Sequence, residues 1–157
     1  MSRVSGMAGV LACVVALAAC GAAPTPPAGQ GAPEPPAVAR NGDLSVRASV
    51  VPTSALSEAA AREYRIERGP RNLLLMVGVR RGDDADERAV PARVSASAVD
   101  LRGVRHDVLL REVAVGELTD HIGIVRVTPP DTLRFLVETH TADGEVTRLQ
   151  FSREVYR

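Results

Sequence analysis

Beyond residue 42 the chain alternates apolar and polar positions with a period of two, the spacing of strands with one buried side. In DLSVRASVV (43–51), Leu44, Val46, Ala48 and Val50 fall on one side, with Ser45, Arg47 and Ser49 on the other. RNLLLMVGVRR (71–81) is apolar on both sides from Leu73 to Val77, the mark of a central strand. VPARVSASAVDL (90–101) aligns Val90, Ala92, Val94, Ala96 and Ala98, and Asp100-Leu101-Arg102-Gly103-Val104 predicts a turn. HDVLLREVAV (106–115) then returns as one strand, and DHIGIVRV (120–127) changes phase between Ile124 and Val125, as a β-bulge would require. TLRFLVETH (132–140) and EVTRLQFSREVY (145–156) flank Ala142-Asp143-Gly144, and Asp-Gly between two alternating runs predicts a hairpin. In the last run Leu149, Phe151 and Val155 face inward. Arg153 shares their parity and is expected near the sheet's end, where its head reaches water or a carboxylate.

One stretch breaks the alternation. In LSEAAAREY (56–64), Ser57 suits an N-cap, Glu58 suits the positive helix end, and the alanines favour helix. Two turns are marginal alone, so Leu56, Ala60, Tyr64 or Ile66 is expected to pin the helix across one end of the sheets. Short strands with frequent turns predict an all-β fold. We expect an immunoglobulin-like β-sandwich of about seven strands, with one short helix after the first strand. The Cys-Trp-Cys signature of antibody domains is absent, so the topology within that class stays open.

The pattern ahead of this region is different. Arg3 precedes an apolar run from Val4 to Ala19, too short for a confident span, which takes ~20 apolar residues. A basic tip, a short apolar core and small residues before a cleavage point describe a secretory signal over 1–19. Leu17-Ala18-Ala19-Cys20 resembles the bacterial lipobox, which implies cleavage before Cys20 and lipid on its sulfur and α-amine. Several acyl chains hold a protein firmly where one does not. Gly21, rather than Asp, follows the cysteine, and by the same resemblance favours the outer membrane, periplasmic side. Pro, Ala and Gly dominate from there, so 20–41 is expected to be a lipidated, partly extended tether. The folded domain is then expected over 42–157.

Cys13 lies inside the signal, so the mature chain keeps only the acylated Cys20, with no disulfide and no catalytic thiol. Lys+Arg number 19 and Asp+Glu 19, every basic residue being Arg. That neutral balance argues against nucleic acid as a partner. Two Tyr, two Phe and no Trp argue against stacking platforms for bases or sugars.

The folded part resembles domain-of-unknown-function family 4426, found in bacterial envelope proteins, through LSEAAAREYRIERG (56–69), RNLLLMVGV (71–79), TLRFLVE (132–138) and LQFSREVY (149–156). The likeness runs from about Asn41 to Tyr156. The family pattern caps its helix with Ser or Thr and ends it in Tyr-Gly-Ile; Arg65 stands here in place of that Gly. The family's last strand carries Thr-Gln after its Phe, where Ser152-Arg153 stand here. The resemblance implies a β-rich fold and an exported setting, and assigns no catalytic residue.

Candidate chemistry is sparse. His106, His121 and His140 are the only histidines, with Asp107 and Asp120 beside the first two. A His/Asp cluster suits zinc, yet no two of them have ligand spacing, so all three are expected on polar surfaces. Asp83-Asp84-Ala85-Asp86-Glu87 gathers oxygens that calcium prefers, without the spaced acidic loop and its glycine, and reads as a solvated hairpin loop. No Gly-x-Ser-x-Gly elbow or Gly-rich phosphate loop occurs. No cofactor, metal or catalysis is expected. Two readings remain: a non-catalytic envelope lipoprotein, bound to the membrane through Cys20 and docking an envelope protein, or a small-ligand or metal-binding periplasmic module.

Overall fold

The computed structural model describes residues 34–83 and 86–156. The expected signal peptide, the lipidation site Cys20 and most of the tether lie outside the described residues. Ten strands occur among those described: β1 (Ala37–Asn41), β2 (Leu44–Pro52), β3 (Asn72–Arg81), β4 (Arg88–Ala89), β5 (Ala92–Val99), β6 (Arg105–Val108), β7 (Arg111–Val115), β8 (Leu118–Arg126), β9 (Asp131–Thr141) and β10 (Val146–Val155). A 3-10 turn at Thr53–Ala55 and the helix α1 (Glu58–Glu63) join β2 to β3.

Two antiparallel sheets result. The first runs β1-β2-β3-β8-β7, with β4 added to one end of β3, and the second runs β10-β9-β5-β6. Their facing sides share one core. Leu44, Val46, Leu73, Leu75, Val77, Val79 and Val125 come from the first sheet, and Ala98, Val108, Leu133, Phe135, Val137 and Leu149 from the second. The fold is therefore all-β, with the alternation of each run explained by a single apolar interior.

Several expectations hold in detail. β3 lies between β2 and β8, and both of its faces are covered: Leu73, Leu75 and Val77 enter the shared core, while Leu74 and Met76 join a second apolar cluster on the outer side. Asp143-Gly144 turns the β9–β10 hairpin, with Gly144 at φ 88° and its N–H donating to the Thr141 carbonyl. Asp100 closes its turn by accepting the N–H groups of Arg102 and Val104 on Oδ1, each at 2.9 Å. Ser57 caps α1, its Oγ accepting the Ala60 N–H at 3.1 Å.

Other expectations are corrected. The expected tether runs through Asn41, yet Ala37–Asn41 pairs with Leu44–Ala48 as a full strand, so the folded region starts earlier. Backbone pairing outweighs the Ala-rich composition there. The count of about seven strands becomes ten, and the helix follows the second strand rather than the first. HDVLLREVAV is two strands: β6 pairs with β5 in one sheet, and β7 pairs with β8 in the other. The chain changes sheets at Leu109-Leu110. No bulge interrupts β8, whose pairing with β3 keeps one register from Asn72↔Arg126 to Gly78↔Asp120. Its phase change has another cause: Val125 fills the shared core, while Ile122 belongs to a second cluster on the sheet's outer side. That cluster, Ile66, Leu74 and Ile122 with Leu56, Tyr64 and Met76 packed on it, lies beneath the helical segment. The residues flanking the helix, Leu56, Tyr64 and Ile66, therefore pack on an outer sheet face rather than across the end of the sheets.

Candidate binding cleft on the outer sheet face

The segment leaving α1 shapes this surface. The helix stops in a Schellman turn: the Ile66 N–H reaches the Ala61 carbonyl at 2.7 Å and the Arg65 N–H reaches the Arg62 carbonyl at 3.2 Å. Such a turn needs a left-handed residue, and Arg65 supplies it at φ 50°, the one positive φ outside glycine among the described residues. Ala61 and Ile66 close the turn as buried apolar residues. Arg65 is thereby turned outward.

Facing it is the crossover between the sheets. Gly123 lets that chain pass close: a Cβ there would stand 2.6 Å from Val108 Cγ1 and 2.8 Å from the Leu109 carbonyl oxygen. Between the two segments lies a cleft of about 570 Å³. Ile66, Leu74, Ile122 and Ile124 give it an apolar floor, while Arg65, Arg111 and Arg126 stand at its rim with Glu67 and Asp107. Arg111 donates through Nη2 to the Tyr64 carbonyl and so ties β7 to the helix end. The side chains of Arg65 and Arg126 have no ion pair or hydrogen bond among the described residues. Leu109, at 91% exposure, stands on the same rim.

The opposite situation holds at the hairpin end. A concavity of about 580 Å³ there includes Arg81 and Asp143. Arg81 is already surrounded by carboxylates: Glu145, Asp143 at 3.2 Å and Asp43 at 3.8 Å. It has little charge left to offer a ligand. Arg80 is likewise consumed, lying buried against Asp120 and the Thr119 carbonyl at 2.8 Å. Gly78 makes room for this pair, since a Cβ there would meet Asp120 Oδ1 at 2.9 Å.

The histidines are not brought together. His106 lies on β6, 3.5 Å from Asp100 Oδ2; His140 lies on β9, 2.8 Å from Glu138 Oε1. His121 departs from the expected surface position. It is 7% exposed on the inward side of β8, with Nε2 3.5 Å from Glu112 Oε1. Its alternation partner is the core, which polar neighbours in sequence had disguised. Among the described residues no three His, Cys, Asp or Glu are grouped to hold a metal ion. Of the acidic loop, Glu87 pairs with Arg47 at 2.6 Å and Asp83 and Asp86 are exposed; Asp84 lies outside the described residues. Asp107 pairs with Arg105 at 3.2 Å and Asp120 with Arg80. The sequence marks Arg65 only as the residue in place of the family's Gly, and nothing in it marks Arg111 or Arg126, because all 19 Lys and Arg positions are arginine and the residue type distinguishes none of them.

This all-β architecture with a helical strap defines a class, and the sequence places the chain within it. Residues 38–157 match the domain of unknown function DUF4426, and the protein belongs to that family. A DUF4426 family protein from Pseudomonas aeruginosa PAO1 has a similar structure, with a TM-score of 0.66 at 22% identity over 77% of this chain and 94% of that one. FetP of uropathogenic E. coli strain F11, expressed in the E. coli periplasm, aligns with a TM-score of 0.57 at 6% identity over 77% of this chain and 95% of its own. These likenesses establish the fold. No curated protein matches the chain. Among the described residues no helix is long and apolar enough to cross a membrane.

Proposed function

We propose that this protein is a non-catalytic, lipid-anchored envelope module, held through Cys20 at the periplasmic side of the outer membrane, whose domain docks a partner protein. Two-sheet folds of immunoglobulin-like kind present strand edges and loops for such contacts. The observation that supports docking is the open edge at β7, next to the exposed Leu109 and the unneutralised arginines of the cleft. An unpaired edge with an exposed leucine is a surface that a partner covers. A small-ligand reading rests on the same cleft, whose volume falls within the range of ligand sites.

Two measurements in intact cells test the proposal. A photo-crosslinker at Leu109 should capture one discrete protein, whereas one at Gln150, on the far sheet, should not. Cys20→Ser should move the protein from the membrane pellet to the soluble fraction. A mutant that stays in the pellet after partner-releasing salt washes would refute the anchor, and a crosslink pattern equal at both sites would refute the docking surface.

A further inference from the structure

Strand β8 outruns its neighbour. β7 pairs only with Leu118–Ile122, while β3 pairs with β8 as far as Arg126. The crossover passes against Gly123, and Ile124–Arg126 beyond it has a strand on one side only, because β6 pairs with β5 in the other sheet. In an antiparallel ladder successive residues point their N–H and C=O groups to opposite sides, so alternate residues of this stretch present both groups to the cleft. The unpaired backbone, the apolar floor at Leu74, Ile122 and Ile124, and the free guanidinium groups of Arg65 and Arg126 all border one space.

We propose that this notch takes an extended, acidic peptide segment of a partner protein as an added strand beside Ile124–Arg126, an inference that rests on the docking reading above. Each feature answers one part of such a segment. The open ladder binds its backbone, the floor binds an apolar side chain, and Arg65 and Arg126 bind its carboxylates by charge-assisted hydrogen bonds. A small anion would engage the arginines and leave the ladder and Leu109 unused. Glu67 and Asp107 restrict the register, since an acidic residue placed beside either is repelled.

The test uses the full chain in detergent micelles and a labelled, acetylated peptide alternating valine and glutamate, followed by fluorescence anisotropy. Binding should weaken with added salt. It should fall at least about tenfold in the double variant Arg65→Gln and Arg126→Gln, as for loss of interfacial charge pairs. N-methylation of alternate peptide amides should abolish it. Arg93→Gln, exposed on the other sheet, should bind as the wild type does. No binding, equal binding of a peptide with lysine in place of glutamate, or indifference to the arginine changes or to N-methylation would overturn the proposal. If binding fails while Leu109 still crosslinks one protein in cells, docking stands and the acidic strand falls. If both fail, both fall.

Discussion

Arg153, near the end of the last strand, holds Glu34, which precedes the first: its Nε lies 2.8 Å from Glu34 Oε2 and its Nη2 donates to the Pro35 carbonyl at 2.8 Å. The guanidinium also lies over the Phe151 ring at 4.8 Å. This answers the awkward parity of Arg153, whose stem runs with the inward side chains while its head finds a carboxylate. Arg153→Ala should cost ~1–2 kcal/mol, from the ring contact and the ion pair together. Glu34→Gln should cost under about 0.5 kcal/mol, since Glu34 is half exposed. Denaturant melts of the two variants check this, and equal losses would show that the ring contact contributes nothing.

Phe135 and Phe151 stack across β9 and β10 with ring centroids 5.1 Å apart. Phe135 has no exposed surface, so Phe135→Ala should cost ~3–5 kcal/mol. Phe151 is only partly buried and its truncation should cost less. Gln150→Ala, on the outward side, should cost under about 0.5 kcal/mol. A Gln150 loss comparable to that of Phe135 would mean the faces of β10 are reversed.

Arg65 occupies a left-handed conformation that glycine adopts without steric penalty. Arg65→Gly should therefore raise stability, by up to about 1 kcal/mol, while weakening the acidic peptide. Opposite signs for folding and binding are the expected signature. A destabilised glycine variant would show that Arg65 supports the fold through its side chain.

Asp100 is held below the usual carboxylate range, first by the Val104 N–H, with further help from Arg102 and His106. A carboxylate whose folded pKa is depressed adds stability that is fully present above its unfolded value of about 3.9 and disappears as pH falls through the folded value. Asp100→Asn should thus be less stable than wild type at neutral pH, and the gap should close in acid below that range. Thermal melts across the acid limb measure it. A gap that stays constant down to the lowest pH would assign the loss to turn geometry alone.

Local signals carried most of the fold. The Asp143-Gly144 turn, the Ser57 cap and the two apolar sides of β3 are each written in a few adjacent residues. What escaped depends on distant partners. The change of sheet falls at Leu109-Leu110, where Val108-Leu109-Leu110 interrupts the alternation, but a short apolar run also fits a continuous buried strand, and only the different neighbours of β6 and β7 separate the two. The change of phase in β8 arises because Ile66, with Leu56 and Tyr64, comes from elsewhere in the chain and buries Ile122 from the other side. The cleft is subtler still: its arginines come from α1's exit, β7 and β8, and become a group only when those elements meet.

The contact between Arg153 and Glu34 also means that the two ends of the folded chain lie together, with β1 against β10. Ends that meet make the order of strands along the chain a historical matter rather than a physical one. A circularly permuted protein, with Glu34 and Tyr156 joined by a short flexible linker and new termini cut at Ala142–Gly144, should rebuild the same two sheets around the same interior.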